Sequence, residues 1–351
     1  MALSVLCIGV LVRSSLQPHL IPTLPGAKYR YNLREAAARH ASDNGYSGLW
    51  FPWQTAGTGN ECDLIEFANK LEFHTGGGIA LLFDRILLFT GDMAGFGHDI
   101  AAGVVAGIAD FFVSRAVESK TQPGKLSIEH CVPPDEFATG FPFYSGVTDS
   151  VYTNAIAALT ARIATRISGS TNASQSGAWA NLAANITILT APIPHAETHA
   201  NDNIYHPEYL NYPYGNVYAH KKVKQADVTM LGYPLQWEGV AGGTELQRND
   251  LVEYEKVYDP EGPAMTGSIH TIAWLEHNNT EMVRCLPHPS NDYHHHLVWY
   301  SILTRNAVFF NRLNFGSSTR RLTSIHHSLF GLKARALIST NLSKMKDVSN
   351  L

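Results

Sequence analysis

The sequence predicts an all-α fold in which long loops gather on a helical scaffold. Three observations carry that prediction. Apolar residues recur at three- and four-residue steps along several long segments, as in helices packed through a buried face. Few segments alternate apolar and polar residues with period two, which argues against a sheet protein. The helical segments are separated by long loops rich in aromatic, His, Gly and Pro residues, and such loops commonly carry function. Helical hairpins closing into a ring would aim these loops at one mouth. No repeat of fixed period is visible, so a helical solenoid is the weaker reading.

The bulk properties fit that architecture. The 351 residues admit one large domain or two. Hydrophobic residues make up 45% and charged residues 16%, which suits a sizeable core and excludes a disordered chain or a coiled coil. Lys plus Arg number 26 against 30 Asp plus Glu, a net charge of −4. There is no basic excess to neutralise a nucleic-acid backbone. Cys7, Cys62, Cys131 and Cys285 form no C-x-x-C pair, which argues against a zinc ribbon or a disulfide framework. No uninterrupted apolar run reaches the roughly 18 residues of a membrane span.

The elements follow in order. Val5–Val12 is an apolar run with no basic segment before it, so it reads as a buried helix or strand start rather than a secretory leader. Leu33–Asp43 is rich in Ala, Glu and Arg and reads as a helix stopped by Asn44-Gly45. A Gly/Pro/Trp-rich loop spans Gly48–Cys62. Ile79–Phe89 reads as an apolar helix ending near Gly91-Asp92, and Ile100–Val117 as a second, buried over much of its surface. Val132-Pro133-Pro134 breaks the chain. Ser150–Ile167 is helical, with Ile156, Leu159, Ile163 and Ile167 on one face, and Ala178–Ile188 is another helix. Pro192–Tyr218 is a long loop. Helices resume near Asp227 and again over Pro263–His277. Beyond Pro287 the character changes to His-rich (His288, His294–His296), then to a Ser/Lys/Asn-rich tail. The chain therefore divides into an N-terminal segment (1–23), a helical core (24–286) and a divergent C-terminal segment (287–351).

Three stretches hold groups suited to chemistry. Pro134-Asp135-Glu136-Phe137 places two adjacent carboxylates after a Pro-Pro turn. Neighbours on a loop point in different directions, so one can be held ionised by hydrogen bonds. The other can meet an apolar surface, which raises a carboxyl pKa as a general acid requires; a solvated turn or helix cap reads equally well. Phe51-Pro52-Trp53-Gln54-Thr55 sets rings beside an amide and a hydroxyl, a set that suits a sugar or an aromatic loop packed on the core. Lys224-Gln225-Ala226-Asp227 offers long donors that reach into a pocket, or an exposed helix start. His195 and His199 lie four apart, but Pro192 and Pro194 oppose a helix there and no third ligand is spaced to match. No metal site and no cofactor are expected. No nucleophile-elbow, P-loop or dinucleotide fingerprint stands in its required context.

Taken in order, a longer set of stretches resembles the catalytic barrel of glycoside hydrolase family 65. They are Leu24-Pro25-Gly26-Ala27; Gly45-Tyr46-Ser47-Gly48 running into Phe51-Pro52-Trp53; His74-Thr75-Gly76; and Gly107–Phe112 with Ser114-Arg115. They continue through Pro134-Asp135-Glu136, Ser150–Asn154, Tyr205-His206-Pro207-Glu208-Tyr209, and Val223–Val228 with Leu231–Pro234. Gly262–Thr266 with Ala273-Trp274-Leu275-Glu276 is the last. The family includes acid trehalases, the glucosidase acting on glucosyl-galactosyl-hydroxylysine, and maltose, trehalose and kojibiose phosphorylases.

The resemblance implies an (α/α)6 barrel and inverting cleavage of α-glucosides. It places the general acid at Glu136, the glucose-holding pair at Lys224 and Gln225, and Trp53 near the sugar. Asp135, Tyr152 and Asn154 would be supporting groups. The expected partner is an α-glucoside carbohydrate, with no nucleic acid and no membrane span; a cytoplasmic and a secreted or vacuolar location are both left open.

The sequence also departs from the family. The early Phe-Trp-Asp segment and the N-terminal β-sandwich are absent. Gly267 stands where Trp is usual, and the closing Gly-rich segment is not recognisable. Ser301 stands where hydrolase members carry their base, and a serine cannot take a proton from water at neutral pH as a carboxylate does. These departures imply a barrel truncated at both ends. The leading expectation is a hydrolase-branch α-glucosidase; a sugar-binding remnant and a phosphorylase using inorganic phosphate are the alternatives.

Overall fold

A computed structural model describes residues 23–62, 70–142, 144–168, 173–194, 203–214, 223–263, 265–279 and 281–282. The chain separates into two compact units, 1–307 and 308–351, and all described residues belong to the first. The expectations for Val5–Val12, His195 and His199, His294–His296 and Ser301 lie outside the described residues, as does the boundary placed at 286/287.

Among the described residues the fold is all-α. Helices α1 (Thr23–Asn32) and α2 (Arg34–Asp43) are followed by α3 (His74–Thr90), α4 (Ala102–Arg115), α5 (Val151–Ser168), α6 (Ala173–Asn185), α7 (Glu245–Glu255) and α8 (Met265–Glu276). Two antiparallel ladders of two residues per strand tie loops together: β1 (Val117–Glu118) with β2 (Leu126–Ser127), and β3 (Ala191–Pro192) with β4 (Ile204–Tyr205).

The centre is α5, which packs against α3, α4 and α6. Ile156, Ile163 and Ile167 are buried as expected, and so is most of the helix around them, from Val151 to Ala164. Its small residues (Ala155, Ala157, Ala158, Ala161) let neighbouring helices approach closely. The same logic extends α3. The triplet Gly76-Gly77-Gly78, poor helix formers by propensity, lies inside its first turns. A Cβ on Gly77 would sit 2.6 Å from Ile156 Cγ1, and one on Gly76 3.1 Å from Ile108 Cγ2. Packing against α5 and α4 overrides propensity, so α3 begins at His74 rather than Ile79. Gly91 ends it in the left-handed conformation (φ 68°), its N–H bonded to Leu87 O.

Other boundaries also differ from expectation. Ile100–Val117 is not one α-helix. A π-helical segment, Met93–Ala101, leads into α4, capped by Asp92, whose carboxylate accepts the N–H groups of Gly95 (2.8 Å) and Phe96 (3.0 Å). Val117 belongs to β1. The continuous stretch Met93–Arg115 is long and apolar enough to cross a membrane by length and composition, which a search for unbroken apolar runs misses. Its packing against α3, α5 and α6 makes it a core element. Asp110 on α4 accepts from Trp179 Nε1 (2.9 Å) and Gln175 Nε2 (2.8 Å), fastening α6 to it. Near Asp227 there is only one 3-10 turn, Val228–Leu231. The helix of that region is α7, whose N-cap Thr244 accepts from Gln247 N–H at 3.2 Å.

Candidate active site

The acid loop is built as a pinched hairpin. Cys131 and Val147 exchange backbone hydrogen bonds (N to O, 2.9 and 2.7 Å), and Val132 N–H donates to Leu71 O at 3.0 Å. Gly140 and Gly146 close the pinch at positive φ (83° and 77°); a Cβ on Gly140 would lie 2.0 Å from Gly146 O. Between these anchors the buried Pro133-Pro134 turn presents Asp135 and Glu136 in opposite directions.

Asp135 points inward and is fully buried. Its Oδ1 accepts the N–H groups of Lys224 (2.8 Å) and Phe137 (3.1 Å). Glu136 points outward, its side chain a quarter exposed at 25%, and pairs with Lys224 Nζ. Gln225 Nε2 donates to Pro134 O. Residues about 90 positions apart are thereby clamped together: backbone of one loop to side chain of the other, in both senses. The structure thus brings Asp135, Glu136, Lys224 and Gln225 into one group.

Behind Asp135 lie two further carboxyl groups, both buried: Glu208, named only within the family resemblance, and Asp227, which closes the Lys224–Asp227 stretch and had no role assigned to it. Asp227 Oδ2 accepts Asp135 N–H at 3.5 Å, and the buried Glu208 carboxyl lies against both Asp135 and Asp227. Glu208 Oε1 and Oε2, Asp135 Oδ2 and Asp227 Oδ1 receive no N–H or hydroxyl donor. Three carboxyl groups packed together in the interior without such donors do not all ionise, so the group retains protons that exposed carboxyls shed. Burial pushes the Asp135 carboxyl up to about 7, against backbone donors from Lys224 and Phe137 that hold it down. Burial, reinforced by the Asp135 charge, holds Glu208 and Asp227 well above the usual carboxylate range.

A row of rings links the 51–55 loop to α3 and α5. Trp53 lies 5.8 Å from His74, and His74 meets Tyr152 edge-on at 5.9 Å. Phe51, by contrast, packs in the core, as the second reading of the 51–55 segment expects. Burial pushes His74 down to about 4, so the ring is neutral at pH 7. Burial likewise raises the Tyr152 hydroxyl, with the Asp227 charge adding to it.

Asn154 acts one layer further in. Its Nδ2 donates to Asp149 Oδ1 (3.0 Å) and Thr187 O (2.8 Å), and Ser127 Oγ donates to Asp149 Oδ2 (2.9 Å). These bonds fix the entrance of α5, where Val151 N–H also donates to Glu208 O at 2.9 Å. His206 binds Asp250 through Nδ1 and backbone N–H, both at 2.8 Å, and ties the Glu208 stretch to α7. Among the described residues no group of three or more His, Cys, Asp and Glu side chains has the arrangement of a metal site.

Comparison with known proteins adds to this geometry. The profile of the glycosyl hydrolase family 65 central catalytic domain matches residues 23–193. The chain is 36% identical over 276 residues to protein-glucosylgalactosylhydroxylysine glucosidase of Dictyostelium discoideum, covering 77% of this chain and 34% of that protein. It is 34% identical over 259 residues to the enzyme of the same name from Danio rerio (74% of this chain, 36% of that one). With kojibiose hydrolase of Mucilaginibacter mallensis it shares 27% over 266 residues (75% and 35%). The chain thus spans about a third of the length of these curated relatives. A solved structure described as a candidate kojibiose phosphorylase from the human microbiome superposes with TM-score 0.58 at 18% identity, over 81% of this chain and 45% of that one. That likeness bears on the fold, which is all-α and of the (α/α)6-barrel type. Motif order, profile match and relatives agree: the chain belongs to glycoside hydrolase family 65.

Proposed function

We propose that the chain is the catalytic core of an α-glucosidase that cleaves with inversion, with Glu136 as general acid. The observation that carries this reading is the clamp between the acid loop and the Lys224-Gln225 pair. A partly exposed carboxyl sits beside a cation and an amide. In this reading Lys224 leaves Glu136 to donate to a glucose hydroxyl, and Gln225 and Trp53 hold the same sugar. Glu136 then meets the glycosidic oxygen and transfers its proton as the bond to the anomeric carbon breaks. Asp135 holds the loop through the N–H groups of Phe137 and Lys224.

Inversion needs a water on the opposite face of the sugar, activated by a carboxylate about 6.5–9.5 Å from the acid. The resemblance puts Ser301 at that position. The reading therefore predicts slow hydrolysis that small nucleophilic anions accelerate, because azide attacks without a base. The names of the relatives point to α-glucosyl disaccharides and glucosyl-galactosyl-hydroxylysine, with trehalose as a third substrate to assay.

The test is to incubate the full chain with kojibiose, trehalose and glucosyl-galactosyl-hydroxylysine and follow the product by NMR. Release of β-glucose without phosphate is expected. Glucose 1-phosphate formed only when phosphate is added would overturn the reading in favour of a phosphorylase. Tight glucose binding with no turnover, with or without azide, would favour a sugar-binding remnant.

A further inference from the structure

The clamp that sets Glu136 does not rest on the two visible loops alone. Asp135 ends one of them, and Asp227 follows Lys224-Gln225 on the other. Against both carboxyl groups lies the buried carboxyl of Glu208, from a third segment. Its backbone carbonyl also receives Val151 N–H at 2.9 Å, the first N–H of the helix that bears Tyr152. Glu208 thus touches the acid loop, the Lys224-Gln225 loop and α5. No N–H or hydroxyl donor reaches its oxygens, so a hydrogen bond from Glu208 to either neighbour requires a proton held within the group. The other ionisable groups that face it are Tyr209, Tyr212 and Tyr254, with Lys224 beside Asp135. The tyrosines stay neutral, and the Lys224 ammonium is directed to Glu136.

We propose that Glu208 is a positioning residue which, held as a neutral carboxylic acid, ties the acid loop to the Lys224-Gln225 loop and so fixes Glu136 relative to the sugar. This rests on the glucosidase reading for its kinetic consequence but not for its structural one. A neutral carboxylic acid donates once and accepts once, and so does the amide of glutamine. Glu208→Gln should therefore preserve such bonds. Glu208→Ala should release the two loops, and misplacement of a catalytic group by about an ångström lowers turnover by roughly 100-fold.

The decisive measurement pairs kinetics with melting. In the full chain, Glu208→Gln is expected to keep kcat within about threefold, while Glu208→Ala loses about 100-fold in kcat with a smaller change in KM. Melting temperatures of wild type and Glu208→Gln are compared between about pH 5 and pH 8. The folded wild type holds a proton on Glu208 that the unfolded chain sheds as pH rises, and the glutamine variant carries no such linkage. The variant's melting temperature should therefore rise relative to wild type with increasing pH. A pH-independent difference, or Glu208→Gln as damaged in kcat as Glu208→Ala, would overturn the proposal. A wild type inactive on every α-glucoside would overturn the glucosidase reading instead, and the melting comparison would still decide whether Glu208 holds the proton.

Discussion

At the scale of single residues, the exposed and the buried members of the site divide the labour. Glu136 and Lys224 are paired and partly exposed; Asp135, Glu208 and Asp227 are buried behind them. Lys224→Met removes the ammonium while keeping the length of the side chain, so the expected result is a KM raised by about tenfold or more, the size of one charged hydrogen bond to a sugar. Asn154 makes a different prediction. Asn154→Ala leaves the buried Asp149 carboxylate short of a donor, and should lower unfolding free energy in urea by about 2–3 kcal/mol with little change in KM.

The sequence marked Glu136, Lys224 and Gln225 because each lies in a short motif whose chemistry is local, and the structure brings them together. The buried cluster that Glu208 and Asp227 form with Asp135 was not legible, although both lie in motifs that carry the family resemblance. What distinguishes them is mutual proximity and burial, and no local pattern encodes the meeting of positions 135, 208 and 227.

At the scale of elements, close backbone approach decides the helix boundaries. A Cβ on Gly77 would strike Ile156 on α5, so Gly77→Ala should destabilise by about 1–3 kcal/mol although alanine is the better helix former. Gly48 is more constrained. It has φ +83°, and a Cβ there would fall 2.3 Å from both Gly107 O and Phe111 N. Gly48→Ala is therefore expected to cost more than Gly77→Ala in the same urea titration, since backbone on α4 yields less readily than an isoleucine side chain.

Helix-favouring composition located α2, and hydrophobic patterning located α4, α5, α6 and α8, to within about five residues, because each buries an apolar face. Both missed α1, which contains Pro25 and Gly26, and α7, whose sequence ELQRNDLVEYE is mostly polar. In α7 the buried groups include Gln247, Asn249 and Asp250. They are held by hydrogen bonds to Gly243, Ile204, His206 and Glu276, and hydropathy does not register such partners.

At the scale of the whole molecule, two sets of buried groups pull stability in opposite directions with pH. Burial pushes His74 and His270 down to about 4. The unfolded chain binds these protons below about pH 6.5 and the folded chain does not, so stability present above that pH is lost as pH falls toward 4. The raised carboxyl of Asp135 acts the other way: the folded chain holds its proton up to about 7, so stability falls as pH rises from about 4 to 7. His270→Leu separates the two. Its melting temperature relative to wild type should rise as pH falls from about 6.5 to 4.5, because the variant has no buried imidazole to protonate.

Whether these features serve catalysis turns on one residue. The measurement that tests this most directly compares Glu136→Gln with wild type on two substrates, an α-glucosyl disaccharide and α-glucosyl fluoride. Fluoride departs with little help from a proton; a sugar alkoxide does not. A general acid at Glu136 predicts that the variant loses disaccharide cleavage by roughly 100-fold to 10,000-fold while retaining most of its rate on the fluoride. Undiminished disaccharide cleavage by the variant, or an equal loss on both substrates, would contradict it.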